Sequence, residues 1–132
     1  MGERIDNKGA WQMPQGGVNI TINESLDKAA KRELYEETGV KTAKITNQSK
    51  GWYYYYLPEN LQTRLWGGKF LGQKQKWFLF SFKGTDQEIN LQADKKPEFN
   101  KWKWVSPQDV LDKIVVFKKE IYHEVLKEFN FV

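Results

Sequence analysis

The sequence predicts an α+β fold in a single domain that spans residues 1–132. Helix-like and strand-like segments mix along the chain without the strict βαβ order of doubly wound proteins. A length of 132 residues suits one domain with a hydrophobic core and is too short for two ordinary domains. Hydrophobic residues make up 39% and charged residues 29% of the chain, a balance typical of globular rather than disordered proteins.

The first predicted helix follows a loop-like N-terminal segment. Residues 1–23 are rich in turn residues, and their one strand-like stretch lies at residues 18–22. A helix is predicted over residues 25–37, and Gly39 is a natural C-terminal cap because glycine accepts the left-handed conformation that ends many helices. The apolar side of this helix carries four residues: Leu26, Ala29, Ala30 and Leu34.

Four strand candidates follow the helix. The segment 43–48 is a weak candidate, whereas 51–57, "GWYYYYL", is rich in aromatic side chains that favour strands. Alternating side chains predict two further strands at 76–84 and 101–105, "KWFLFSFKG" and "KWKWV". Between the second and third of these candidates, residues 58–73 are interpreted as an irregular excursion.

Aromatic residues make up 15% of the chain, and six of them are Trp. Alternate tyrosines on a half-buried strand usually pack in the core, although the run from Tyr53 to Tyr56 can also stack on nucleobases. The sequence alone leaves both interpretations open. Three tryptophans are expected in the core: Trp77, Trp102 and Trp104.

Two helices are predicted to close the chain. In the first, at residues 106–114, Ser106 is the expected N-cap, Pro107 takes the first helical position and Asp109 completes a capping-box pattern. The second helix, at residues 117–129, carries an apolar stripe at four-residue spacing, which is the spacing of one helix face. The stripe consists of Ile121, Val125 and Phe129.

Composition excludes several kinds of site. The chain has no Cys and a single His, His123, so disulfides, thiolate metal sites and His-rich zinc sites are excluded. No apolar run approaches the length of a membrane span, and the N-terminus lacks a signal-peptide core. We therefore expect a cytoplasmic location and no membrane partner. The formal net charge of +4 suits a polyanionic ligand, although a solvated basic surface is the commoner explanation of such a charge.

Three glutamates are crowded on the first helix. Glu33, Glu36 and Glu37 are three and four residues apart, which places them on one helix face where like charges repel. One interpretation is a solvated face with an ordinary Arg32–Glu36 pair. The other is a hard-oxygen site for Mg²⁺ or Mn²⁺, because a divalent cation cancels the repulsion between carboxylates.

The spacing of these residues resembles the Nudix box. From Glu24 through "RELYEETGV", residues 32–40, every specified position of the pattern G-x5-E-x7-R-E-U-x-E-E-x-G-U is met, where U is apolar. The front of the pattern departs from it, because Gly16 and Gly17 are separated from Glu24 by seven and six residues instead of five. The loop therefore carries an apparent two-residue insertion, which bears on whether Gly16 can hold a metal ion as the family's glycine does.

Further segments resemble the bacterial RNA pyrophosphohydrolase branch of that family, also described as dinucleoside polyphosphate hydrolases. They are "WQMPQGG" (11–17), "GQKQKWFLF" (72–80), "PEFNKWKWV" (97–105) and "FKKEIYHEVLKEF" (117–129). The resemblance implies a mixed sheet between helices in an α/β/α sandwich. It also implies that "MGERID" corresponds to the end of the second strand, so that the N-terminal strand is expected to be absent.

The activity that the resemblance implies is metal-dependent hydrolysis of a phosphoanhydride, with Mg²⁺ or Mn²⁺ as cofactor. The substrate is the 5′-triphosphate end of RNA, from which pyrophosphate is removed at the start of mRNA decay. Cleavage of a dinucleoside polyphosphate such as diadenosine tetraphosphate is the enzymatic alternative. A non-catalytic module that binds RNA or nucleotides is the alternative from a different class. Protein partners are not predicted.

The resemblance also implies roles for individual residues. Arg32 orients the carboxylates, and Glu33 or Glu98 is the general base. The implied metal ligands are Glu33, Glu36, Glu37, Glu98 and the carbonyl of Gly16. The implied substrate contacts are Arg4, Gln15, Lys74, Gln75, Phe117 and Lys118.

Plain structural interpretations remain open for several of these residues. Phe117 can equally be the first apolar residue of the closing helix. A solvated side chain is the usual state of a lysine such as Lys74. Glu98 lies in loop sequence beside two lysines, which also suits a surface position.

Overall fold

The N-terminal segment forms two short strands, the first of which pairs with a strand from the other end of the chain. The computed structural model describes residues 1–56 and 72–132. In it β1 (Gly2–Arg4) lies between β2 (Trp11–Gln12) and β7 (Phe99–Trp102), and both pairings are antiparallel. The interpretation of residues 1–23 as loop from their turn residues was therefore wrong for these two strands. The partner β7 of β1 lies nearly a hundred residues away, which local sequence cannot reveal.

The prediction of a short strand at residues 18–22 was also wrong, because Ile20–Ile22 forms a 3-10 turn. Asn19 holds this turn: its side chain accepts from the Thr21 N–H at 3.1 Å and its carbonyl accepts from the Glu24 N–H at 3.1 Å. Asn23 closes the turn with φ 55°, a left-handed conformation that asparagine tolerates. The two extra residues of the loop are thus absorbed in a short, hydrogen-bonded turn.

The first helix is confirmed as α1 (Leu26–Thr38). Gly39 caps it at φ 75°, and its N–H donates to the Tyr35 carbonyl at 2.7 Å. Of the four residues on the predicted apolar side, Ala29 is buried and the other three are partly buried. The helix thus ends at the glycine that its sequence indicates.

Two further antiparallel ladders follow α1. β3 (Lys44–Gln48) pairs with β6 (Phe78–Ser81), and β4 (Tyr53–Tyr56) pairs with β5 (Gly72–Gln75). The α+β class is confirmed, but all pairings among the described strands are antiparallel, and these strands form three separate sheets instead of the implied mixed sheet. Most of the excursion expected at 58–73 lies outside the described residues, and its last two residues begin β5 instead.

The closing helices are α2 (Pro107–Lys113) and α3 (Val116–Glu128), as predicted. The Ser106 side chain accepts from the Asp109 N–H at 3.2 Å, which confirms the N-cap. No helix in the described ranges combines the length and apolar character needed to cross a bilayer.

The core lies between the closing helices and the strands β2 and β4. Buried residues in this region form two clusters, the first of Tyr55, Ile121 and Val125, and the second of Val110, Leu111, Ile114 and Tyr122. Trp77 packs against both clusters and meets Tyr122 edge to face at 5.0 Å between ring centroids, as expected of a core tryptophan.

The expectation of a core position was wrong for Trp104, which is 62% exposed. Strand β7 ends at Trp102, so the alternation that suggested a strand to residue 105 does not carry Trp104 inward. Its ring stacks on Phe82 at 5.9 Å, and its indole N–H donates to Asp86 at 2.8 Å. A surface tryptophan with a satisfied N–H is the result.

Candidate active site

The three glutamates of α1 differ sharply in their surroundings. Glu37 is only 3% exposed, whereas the side chains of Glu33 and Glu36 are 19% and 34% exposed. Burial, reinforced by the charge of Glu33, raises the pKa of Glu37 to about 8. The packing around α1 therefore leaves one deeply buried carboxyl group and two at its rim.

Arg32 neutralises the rim of this cluster. Its guanidinium donates two hydrogen bonds to the Glu24 carboxylate, at 2.7 and 3.0 Å, and one each to Glu33 (2.7 Å) and Glu36 (3.0 Å). A fifth bond reaches the Gly17 carbonyl at 2.8 Å. Arg32 thus does more than form an ordinary i,i+4 pair with Glu36, because its hydrogen bonds connect the preceding loop to the acidic face of α1.

The Glu24 carboxylate is the main partner of Arg32. Its hydrogen bonds with the guanidinium, helped by the Asn19 N–H at 2.9 Å, lower the pKa of Glu24 to about 2. Glu24 therefore carries a full negative charge at neutral pH, in contrast to Glu37, whose pKa is raised. Sequence reasoning found Glu24 by its place in the box but not its pairing with Arg32.

A bound cation would give the buried Glu37 carboxylate a partner of opposite charge. Its Oε2 atom is buried and has no hydrogen-bond partner among the described residues. A buried charge without a partner is costly, and a divalent cation with oxygen ligands is a suitable partner for it. Within residues 1–56 and 72–132, no three acidic or histidine side chains already surround a common point. Because Arg32 holds Glu33 and Glu36, these two would turn away from the guanidinium to share an ion with Glu37.

Gly16 lies directly against the carboxyl group of Glu33. A Cβ atom built on Gly16 would overlap that carboxyl group, whereas one on Gly17 would meet nothing within 4 Å. The longer loop therefore still brings the glycine backbone to the acidic face, since the additional residues are taken up by the 3-10 turn further along. A side chain at position 16 would therefore require the Glu33 carboxyl group to shift.

Glu98 approaches the cluster from the far end of the sequence. It immediately precedes β7, and its carbonyl accepts the Ile5 N–H at 3.0 Å, which anchors it beside β1. Its charge contributes to the raised pKa of Glu37, after burial and the charge of Glu33. Its side chain is exposed and can move toward an ion or a substrate.

A second group of residues is organised around Tyr55. The Tyr55 hydroxyl donates to Gln73 at 2.8 Å, and Gln75 donates to Gln15 at 3.4 Å. Burial raises the pKa of Tyr55, and the Gln15 side chain partly offsets this rise. Phe117 packs on the Tyr55 ring at 5.8 Å between centroids. The sequence left packing and base stacking open for the run that contains Tyr55, and it gave no sign of the hydrogen bond to Gln73.

Lys118 is a buried cation in the same group. It is 5% exposed, its Nζ donates to Gln12 at 3.4 Å, and it lies over the rings of Tyr55 and Phe117 at 5.5 and 5.9 Å. Burial, with a smaller effect of the Arg4 charge, lowers the pKa of Lys118 to about 8. Among the ion pairs of the described residues, none gives Lys118 a carboxylate partner. An anionic ligand would supply the missing charge.

Arg4 and Lys74 differ in their relation to this group. Arg4 pairs with Asp6 at 2.6 Å, yet its charge is felt by Lys118. Lys74 lies on the opposite face of β5 from Gln73 and Gln75, with its Nζ 4.7 Å from the Trp52 ring centroid. The structure therefore brings Arg4 close to the group but does not bring Lys74 there.

A cleft of about 360 Å³ adjoins Tyr55 and Phe117 between β4 and α3. Tyrosine and phenylalanine rings supply its apolar lining, whereas Glu120 and Glu124 make its outer side acidic. Aromatic walls suit a flat ring, and the two carboxylates disfavour a phosphate at that end.

The chain is similar to several known proteins. The NUDIX domain model matches residues 1–125. An RNA pyrophosphohydrolase of Wolbachia pipientis subsp. Culex pipiens (strain wPip) is 45% identical over 130 residues, covering 98% of this chain and 79% of that protein. The protein of that description from Erythrobacter litoralis is 50% identical over 132 residues, covering 97% and 79% of the two chains.

A solved structure shares the fold. The Escherichia coli dihydroneopterin triphosphate pyrophosphohydrolase superimposes with a TM-score of 0.70, covering 97% of this chain and 84% of that one, at 18% sequence identity. At this identity the likeness concerns the fold alone.

Proposed function

Because the chain belongs to the Nudix family and is a hydrolase of that family, we propose that it removes pyrophosphate from the 5′-triphosphate end of RNA. The name of its relatives supports RNA as the substrate, ahead of diadenosine tetraphosphate or a purely binding role. In this proposal Mg²⁺ or Mn²⁺ serves as the divalent cation that the family uses.

The observation that carries the proposal is a pair of buried ionisable groups that lack partners of opposite charge. Among the described residues, Glu37 is a buried carboxyl group whose Oε2 has no hydrogen-bond partner, and Lys118 is a buried amine without a carboxylate ion pair. A polyphosphate carrying a divalent cation supplies both missing partners, with the cation at the acidic face of α1 and the anion at Lys118. No neutral substrate would satisfy both groups.

The acidic residues proposed to hold the cation are Glu33, Glu36, Glu37 and Glu98, together with the Gly16 carbonyl. When bound, a divalent cation neutralises phosphoryl oxygens and lowers the pKa of an attacking water. Arg32 positions the loop and the rim carboxylates, and the contact of Gly16 with Glu33 limits where that carboxylate can lie. Glu33 or Glu98 is proposed to accept the proton of the water, since each is a carboxylate beside the cluster.

The substrate is proposed to lie across the group around Tyr55. Lys118 and Arg4 would balance the phosphate charges, and the pKa of Lys118 near 8 would rise when an anion binds beside it. Phe117 offers its ring to the first base, with Gln15 and Gln75 as hydrogen-bond partners. The role of Lys74 at the phosphates stays a prediction, and its position over Trp52 does not favour it.

The function is tested by comparing two substrates at equal Mg²⁺. Purified protein should release pyrophosphate from 5′-triphosphorylated RNA with a higher kcat/KM than it shows for diadenosine tetraphosphate. A chelator should stop both reactions. Faster turnover of diadenosine tetraphosphate would overturn the choice of substrate, and the absence of any hydrolysis with RNA binding retained would favour the non-catalytic module.

Substitution of Gly16 tests the contact between the loop and the helix. We expect Gly16→Ala to lower kcat/KM by about 10- to 100-fold, the usual cost of disturbing a group that orients metal ligands, because its methyl group would displace the Glu33 carboxyl group. Gly17→Ala is the matched control, since its added Cβ meets nothing within 4 Å. Equal losses in both variants would show that loop stiffness, and not the contact with Glu33, causes the effect.

A further inference from the structure

The β4–β5 ribbon has a second face that turns away from the group around Tyr55. Side chains alternate along a strand, so Tyr53 and Tyr55 point inward and Tyr54 and Tyr56 point outward. Tyr54 is 62% exposed, Tyr56 is 72% exposed, and Trp52, two residues before Tyr54, is 40% exposed. Three large rings at every second position thus lie on one solvent-accessible surface.

Lysines accompany these rings. Lys74 is the cross-strand partner of Tyr54, and its Nζ lies 4.7 Å from the Trp52 ring centroid. Lys76, two residues further on, lies 6.0 Å from the same centroid. Tyr56 faces Gly72 across the ladder, so its cross-strand neighbour has no side chain to cover the ring. We call Trp52, Tyr54, Tyr56, Lys74 and Lys76 the outer ribbon face.

The chemistry of this face fits single-stranded nucleic acid. Exposed aromatic rings gain little stability from burial, and each offers a flat surface on which a base can stack, while lysines balance the phosphates between bases. Alternate residues of a strand lie about 6.6–6.8 Å apart. This spacing is about twice the roughly 3.4 Å repeat of stacked bases, so the strand places its rings at intervals that suit a stacked single strand.

We propose that the outer ribbon face binds the single-stranded RNA that follows the 5′-terminal nucleotides of the substrate. The inference rests on the proposed function for its orientation, because β4 and β5 carry Tyr55 and Gln73 on their inner face. An RNA chain that leaves the inner group reaches the outer face by passing over one edge of a two-stranded ribbon. Lys74, which does not join the inner group, takes its place here as a contact to the RNA backbone.

The test separates binding of a long RNA from hydrolysis of a short one. Binding is measured by fluorescence anisotropy with a 5′-hydroxyl RNA of about 12 nucleotides. Hydrolysis is measured with a triphosphorylated dinucleotide, which is too short to extend onto the outer face. The double variant Tyr54→Ser with Tyr56→Ser should weaken binding roughly five-fold or more for each ring removed. Hydrolysis of the dinucleotide should stay at the wild-type rate.

Two comparisons identify the rings as the cause. Tyr54→Phe with Tyr56→Phe keeps both rings and should bind within about two-fold of the wild type, because stacking does not need the hydroxyl. Trp104→Ser removes another exposed aromatic residue from a different surface and should leave binding unchanged. Lys74→Gln with Lys76→Gln should weaken binding and flatten its dependence on salt.

The results separate failure of this inference from failure of the proposed function. Unchanged RNA binding in the serine variant overturns the inference, and so does an equal loss in Trp104→Ser. A change in self-association alone would assign the face to a second copy of the chain and would also overturn it. Ring-dependent RNA binding by a protein that does not hydrolyse triphosphorylated RNA would support this surface and refute the proposed substrate.

Discussion

Glu37→Gln is expected to lower the rate of hydrolysis by about a thousand-fold, since a bound cation contributes several kcal/mol to the reaction and each 1.36 kcal/mol corresponds to a factor of ten. Gln keeps the shape of the side chain and removes the charge that would hold the cation. The matched control is Asp27→Asn, which neutralises an exposed acid in the first turn of the same helix. Steady-state kinetics with triphosphorylated RNA measures both, and a similar loss in the control would contradict the role of Glu37.

The same substitution should stabilise the metal-free protein at alkaline pH. The folded-state pKa of Glu37, about 8, lies above its ordinary value of 4.5. Between these values the folded chain holds a proton that the unfolded chain has lost, so the stability of the wild type falls as pH rises from 4.5 to 8. Burial of the charge is the cause, and a neutral Gln does not suffer it.

Urea denaturation in the presence of a chelator tests this effect. Glu37→Gln should exceed the wild type by a few kcal/mol in unfolding free energy at about pH 8.5 and by much less at about pH 5. Added Mg²⁺ or Mn²⁺ should stabilise the wild type and leave the variant nearly unchanged. A variant less stable than the wild type at both pH values would show that the carboxylate has a partner in solution.

Arg32→Ala is expected to reduce both activity and stability. Removal of the guanidinium leaves Glu24, Glu33 and Glu36 without their shared positive charge and frees the Gly17 carbonyl. We expect kcat/KM to fall by about 10- to 100-fold, as when a group that orients metal ligands is lost. The unfolding free energy should fall by about 1–3 kcal/mol, below the cost of a fully buried pair because Arg32 is 32% exposed.

A cation should partly replace the lost arginine. In Arg32→Ala the carboxylates repel one another without compensation, so Mg²⁺ should raise the thermal midpoint of the variant more than that of the wild type. Lys28→Ala, at an exposed position one turn earlier, is the control and should cost less than about 0.5 kcal/mol. An equal response of variant and wild type to Mg²⁺ would show that Arg32 does not balance the ion-binding face.

Local features of the fold could be predicted wherever their causes lie within a few residues. The end of α1 at Gly39 and the Ser106 N-cap of α2 follow from residues at the helix ends, and both are present. Pairing of β1 with β7 and exposure of Trp104 were missed, because each depends on a surface supplied from elsewhere in the chain. Sheet register and burial are decided by these distant partners.

The candidate site divides in the same way. The spacing of Glu33, Glu36 and Glu37 by itself determined that three carboxylates share a helix face, since 3.6 residues per turn leave no other arrangement. Only the tertiary structure decided that Glu37 is the buried one and that Lys118 is a cation without an acidic partner in the described ion pairs. Periodicity sets the direction of a side chain, whereas its charge environment is set by the elements that pack around it.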